Sequence, residues 1–181
     1  MHGVIFSGLK RYVGERFGEG TWEALLAQAG LEGRLYAPIS LYPDEELDAL
    51  VAAACEMSGL EAPVLLQDFG AWIIPSLIGM YKSMIPAHWG TVEFLLNVED
   101  QIHEKVIKMK NPQARPPKVR AAEIEPGLLL LDYTSHRNMC DLAIGCAMGV
   151  ATFYGDRAEV EGRKRLPSGS ERVTIRIHPG G

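Results

Sequence analysis

The sequence predicts an α+β protein, helical over its first two-thirds and mixed over its last third. Three observations carry this. Apolar residues recur at helical spacing in successive segments from Gly3 to about Lys110. After Asn111-Pro112 and Arg115-Pro116-Pro117 the apolar period changes to two, first around Pro126-Gly127 and again in Val173, Ile175 and Ile177. One further helical stretch lies between those alternating segments. The order is helices, then strand–strand–helix–strand–strand, which builds a small antiparallel sheet with helices.

The elements follow in order. Gly3–Phe17 has apolar positions at Val4, Ile5, Leu9, Tyr12 and Val13, and Gly18-Glu19-Gly20 breaks it. Thr21 is read as the cap of a second helix that runs to about Ala29, where Gly30 stops it. Pro43-Asp44-Glu45-Glu46 opens a third, with acids at the positive end of the helix dipole, and Ser58-Gly59 closes it. Ala62–Ile74 is a fourth, halted or kinked at Pro75, which has no amide to donate. A short fifth, about Leu77–Ser83, stops before Pro86. The sixth, Thr91–Lys110, is the most regular, with Val92, Leu95, Leu96, Ile102, Val106 and Met109 in its stripe and Asn111-Pro112 at its end. His103 follows Ile102 and shares that face, whereas Glu99 and Asp100 fall on the polar face and are expected to be solvated. Lys118–Glu125 and Gly127–Thr134 read as strands. Asn138–Phe153 is a helix with the stripe Met139, Leu142, Ala143, Cys146, Val150 and Phe153. Arg157–Leu166 and Glu171–His178 form a terminal hairpin. There is no internal repeat, low-complexity tract or linker, so residues 1–181 are read as one domain.

Composition narrows the function. A net charge of −5 argues against a nucleic-acid binder, and the basic run Arg163-Lys164-Arg165 beside Pro167, Ser168 and Gly169 reads as a solvated hairpin tip. Cys55, Cys140 and Cys146 are too few and too scattered for a disulfide framework or a zinc box, and fit small buried groups in a reducing compartment. The amino terminus lacks the flanks of a signal peptide. The apolar stretch Trp72–Met80 is short and holds Pro75, so no membrane span is expected and a cytoplasmic location follows by default.

The chemistry concentrates in two places. His103 sits in the apolar stripe of the sixth helix, and thirty residues on comes Tyr133-Thr134-Ser135-His136-Arg137. On extended backbone Tyr133, Ser135 and Arg137 point to one side and His136 to the other. A phenol, a hydroxyl and a guanidinium in a row suit carboxylates on a flat ligand, and a neutral imidazole suits an iron; haem offers both. Each residue alone has a plainer reading, as a core histidine, an ordinary sheet face or a surface arginine. The sequence has no C-x-x-C-H attachment, so a haem would be held without a covalent bond. P-loop, dinucleotide-binding, zincin and nucleophile-elbow motifs are absent.

On these residues the sequence resembles the H-NOX family, the haem–nitric oxide/oxygen binding domains of bacterial sensors and of soluble guanylate cyclases. The Met1-His2-Gly3 start, Gly20-Thr21-Trp22-Glu23-Ala24 with Ala29-Gly30-Leu31, Phe69-Gly70, Asp100-Gln101-Ile102-His103, Arg115-Pro116-Pro117 and Tyr133-x-Ser135-x-Arg137 carry the likeness over essentially the whole chain. The resemblance implies a helical lobe at about 1–60, a haem-clasping lobe at about 61–181, and non-covalent haem b between them. It implies His103 as the iron's ligand, Tyr133, Ser135 and Arg137 on the propionates, and Pro117 pressing on the porphyrin. Oxygen-binding members carry a distal tyrosine where this chain has Leu142, supported by polar residues where it has Leu9 and Ile73. The resemblance therefore implies a sensor of nitric oxide and carbon monoxide that excludes oxygen, has no catalysis of its own, and signals to a histidine kinase or a cyclic-nucleotide or dinucleotide enzyme such as a diguanylate cyclase or phosphodiesterase. His2 departs from the usual residue at its position and is read mainly as part of a solvent-facing terminus. No zinc cluster is expected. The rival readings are a haem peroxidase, which would need a distal acid–base group, and a haem-free ligand- or partner-binding module on the same fold.

Overall fold

Helix α4 (Ala62–Tyr81) runs straight through the boundary at which the computed structural model divides into two units, Met1–Phe69 and Gly70–Gly181. The described residues are 1–107 and 115–180. The first two turns of α4 group with the helices before them.

The first unit holds α1 (Gly3–Phe17), α2 (Thr21–Gln28), α3 (Asp44–Ser58) and the start of α4. The buried face of α1 is Gly3, Phe6, Gly8, Tyr12 and Val13, while the expected core positions Val4, Ile5 and Leu9 are half-buried. Phe6 wins the deepest place. It is wholly buried, stacked on Tyr36 at 4.2 Å between ring centroids and met edge-on by Tyr42 at 5.5 Å, and an aromatic ring removes more surface from water than an aliphatic chain. Gly3 has no room for a side chain: a Cβ there would overlap the Ala37 carbonyl, and its amide donates to the Ser40 oxygen at 2.8 Å. Thr21 is not a cap. Gly20 holds that place at φ 80°, and the Thr21 hydroxyl donates back to the Phe17 carbonyl at 3.0 Å. Asp44, Glu45 and Glu46 occupy the first turn of α3, as the dipole favours.

In the second unit α4 continues past Pro75 to Tyr81, and a 3₁₀ turn, Lys82–Met84, follows in place of a separate fifth helix. Proline at 75 removes the hydrogen bond that would end on the Ala71 carbonyl. That carbonyl is one place where α6 (Cys140–Phe153) comes close: a Cβ at Gly149 would lie 2.6 Å from the Ala71 oxygen. A Cβ at Gly70 would likewise lie 2.6 Å from the Leu142 oxygen. The backbones thus meet without side chains between them, and Gly149 leaves room for the freed carbonyl. Ala62–Met84 is by length and composition alone long and apolar enough to cross a bilayer, a test that the core helix of a globular protein also passes. It also contributes Leu65, Phe69, Ile73, Ile74 and Ile78 to the buried core.

The expected long helix from Thr91 is an α-helix, α5, only through Asn97; Val98–Ile107 winds as a π-helix. Of the expected stripe, Leu95 and Ile102 are buried and Leu96 is exposed. Met109 and the stop at Asn111-Pro112 lie outside the described residues. Strands β1 (Lys118–Glu125), β2 (Leu128–Thr134), β3 (Arg157–Arg165) and β4 (Glu171–His178) form one antiparallel sheet in the order β1-β2-β4-β3. Its inner face (Leu129, Leu131, Val173, Ile175, Ile177) packs with Cys140, Ile144, Ala147 and Val150 of α6. The expected stripe of α6 was therefore displaced. Of its members only Met139 and Val150 are buried, and Phe153 is exposed. Small residues let the other face of α6 approach α4. Arg163 is exposed, as expected of the basic run, and donates to Asp141 at 2.9 Å and to Glu171 at 2.6 Å.

Candidate functional site

The π-helix carries His103 with its side chain mostly buried, and Nδ1 lies 3.0 Å from Glu99 Oε2 one turn earlier. The same oxygen accepts the Val119 amide of β1 at 2.8 Å. The expectation that Glu99 is solvated fails for this reason: strand β1 passes beside the helix with an outward-facing amide, and the carboxylate meets it. The pair's i, i+4 spacing is the one sequence signal that could have found it.

Val119 is the strand partner of Tyr133. Tyr133 is buried, and burial pushes its phenol above the ordinary range, opposed in part by hydrogen bonds from Ser135 and the Met139 backbone. The phenol thus stays protonated as a donor through neutral pH. Strand β2 ends at Thr134, so Ser135 and Arg137 do not follow the alternation of a strand. They sit in a turn, in which the Arg137 amide donates to Ser135 Oγ at 3.2 Å. The exposure pattern nevertheless alternates, with Ser135 and Arg137 half-buried and His136 exposed. The Arg137 guanidinium reaches back to donate to the Arg115 carbonyl at 2.7 Å, holding the approach to Pro116 and Pro117, which are half-buried just before β1. Contacts running from His103 through Glu99, Val119, Tyr133 and Ser135 to Arg137 therefore join one end of the second unit.

Of the expected distal residues, Ile73 on α4 is buried and Leu142 on α6 is half-buried; both belong to the second unit. Leu9 is half-buried on α1 in the first. Cys146, one turn beyond Leu142, has its thiol pushed up to about 12 by burial, so it remains an uncharged apolar group. The terminus is not solvent-facing as expected. His2 is half-buried, bridges to Leu41, and caps α1 by accepting the Val4 amide on Nδ1 at 3.3 Å. Burial, then the neighbouring terminal ammonium, lowers its pKa and keeps it a neutral acceptor.

The donor set fits a haem. Glu99 occupies Nδ1 of His103, so Nε2 is the nitrogen available to an iron. A protonated phenol, a hydroxyl and a permanent cation suit two carboxylates. Solved structures agree on the fold. An H-NOX protein from S. oneidensis in its Fe(II)NO state superposes at a TM-score of 0.88 with 19% identity, over 98% of this chain and 99% of that one. The unliganded Fe(II) H-NOX protein from K. algicida gives 0.87 with 20% identity, over 99% and 98%. A mutant T. tengcongensis H-NOX gives 0.83 with 22% identity, over 98% and 97%. Since the profile of the haem-NO-binding family matches residues 2–162, the chain belongs to that family, the H-NOX domains, whose cofactor is haem and whose members are haem-based gas sensors.

Proposed function

We propose that this protein is a nitric oxide sensor, also able to bind carbon monoxide, that excludes oxygen and regulates a signalling partner without chemistry of its own. When bound, haem supplies a ferrous iron that takes either gas. His103 Nε2 ligates that iron from one side. Tyr133, Ser135 and Arg137 hold the propionates, and Pro117 presses on the porphyrin. Leucine and isoleucine at positions 142, 73 and 9 offer no donor, and dioxygen, which gains negative character on iron, goes unsupported. Nitric oxide needs no such donor. His103 would be the ligand released on nitric oxide binding, and the π-helix segment that carries it would then be free to shift. A histidine kinase or a diguanylate cyclase or phosphodiesterase reads that shift, in the cytoplasm.

The observation that carries this reading is the His103 imidazole held at Nδ1 beside a strand whose partner bears the donor run. Absorption spectra of the purified holoprotein test it, taken after dithionite, then nitric oxide, carbon monoxide or air. The expected results are a ferrous spectrum that changes with both gases and no stable oxy complex in air. His103→Ala should lose the ferrous spectrum and regain it with added imidazole. Leu142→Tyr should slow the loss of bound oxygen. A stable oxy complex in the wild type would sink the oxygen argument, and an unaltered ferrous spectrum in His103→Ala would sink the ligand assignment.

A further inference from the structure

We infer that Glu99 is a positioning residue for His103: its carboxylate holds the imidazole Nδ1–H, leaves Nε2 as the nitrogen offered to iron, and fastens the ring to the sheet through Val119. This rests on the reading of His103 as the iron's ligand. An ionised carboxylate can only accept, so the proton in the 3.0 Å contact sits on Nδ1 and one tautomer is selected. The two side chains are 14% and 15% exposed, which shields a charge-assisted hydrogen bond from competing water. Two donors from different elements, the imidazole and the Val119 amide at 2.8 Å, converge on the single oxygen Oε2. The backbone of β1, an edge strand, therefore fixes where that oxygen sits, and Glu99 satisfies an amide that would otherwise face outward.

A carboxylate behind a ligating imidazole raises its basicity and sets its ring orientation. Glu99 should thus strengthen the hold of His103 on iron and set how readily nitric oxide breaks it. Because Val119 pairs with Tyr133, the same oxygen also ties the helix carrying His103 to the strand that leads into the donor run.

The test is resonance Raman spectroscopy of the ferrous holoprotein, reading the iron–histidine stretching band in the wild type, Glu99→Gln and Glu99→Ala. Glu99→Gln keeps size and an acceptor oxygen but removes the charge. Both variants are expected to move the band to lower frequency, and Glu99→Gln to keep the wild-type circular dichroism and haem content. Transfer of haem to an excess of apomyoglobin should quicken about 10-fold or more in Glu99→Ala. A second measurement needs no altered fold: in the diamagnetic carbon monoxide complex, the His103 Nδ1 proton should be visible by nuclear magnetic resonance and protected from exchange with water. A band unmoved in both variants, or a rapidly exchanging Nδ1 proton in the wild type, overturns the assignment to Glu99 while leaving His103 as ligand. A band that survives in His103→Ala overturns the ligand reading itself, and Glu99 falls with it.

Discussion

The two units spend their polar side chains differently. In the first, a set of side chains closes on one another at the surface of a ring-rich core, while others, such as Ser7 and Thr21, bond main chain within the same helical scaffold. Tyr12 donates to Asp68 at 2.6 Å and Arg16 joins the same carboxylate at 3.1 Å. Arg34 and Tyr36 both donate to Glu46, at 2.6 Å and 2.8 Å, and Gln28 to Glu56 at 2.7 Å. In the second, the polar groups at the His103 end are anchored to main chain: Glu99 on the Val119 amide, Arg137 on the Arg115 carbonyl, Tyr133 on the Met139 amide. Side chains held by main chain are pre-set in direction, as a binding site demands. Side chains that close on each other stabilise and do little else. The first unit reads mainly as a scaffold, and the second holds the pre-set donors at its His103 end.

The largest expected effect tests the scaffold side. Phe6→Ala removes a wholly buried ring stacked on Tyr36 and should cost about 3–5 kcal/mol of stability. Denaturant unfolding would show it, with haem content per folded molecule unchanged. If haem content instead falls in step with stability, the separation of scaffold from chemistry is wrong. Next comes the chemistry side. Arg137→Ala should weaken haem retention by about 1.5–3 kcal/mol for each charge-assisted hydrogen bond lost. It should leave the unfolding midpoint of the haem-free protein nearly where it was. Apomyoglobin competition and urea melts of the two forms distinguish these.

The smallest effect sharpens the contrast on the outer face of the sheet. A bidentate hydrogen bond from Arg172, at 2.6 Å to each oxygen, holds the Asp132 carboxyl below its ordinary range. A depressed folded value means the pair's contribution is complete above the unfolded pKa of about 3.9 and is lost as pH falls through the lower folded value. The two side chains are 33% and 34% exposed, so solvent screening limits the contribution to below about 1 kcal/mol. Arg172→Met should remove that acid-limb slope from a plot of stability against pH and leave haem binding alone.

Sequence reading reached those elements whose signals are local. The acids opening α3, the glycines after α1 and α3, and the alternation of Val173, Ile175 and Ile177 all put element boundaries within a residue or two of where they fall. The grouping of Tyr133, Ser135 and Arg137 was also legible, although its stated cause was not, since a turn rather than a strand arranges the last two. What failed depends on partners distant in sequence. Pro75 does not end α4, and the neighbour that compensates for it comes from α6. The stripe of α6 was misassigned because two apolar faces compete along it, and the sheet claims the one with Ile144 and Ala147. The winding after Asn97 has no residue signature at all. Glu99 looked like surface because its second partner, Val119, arrives twenty residues later.

The meeting of Pro75 and Gly149 at the Ala71 carbonyl has a consequence for variation. A methyl gained at 149 would lie 2.6 Å from the Ala71 oxygen and 3.0 Å from Ile74 Cβ, so it would first require the segment around 71 to be rebuilt. A redesign of this crossing therefore has to move one backbone away from the other before position 149 can take any side chain.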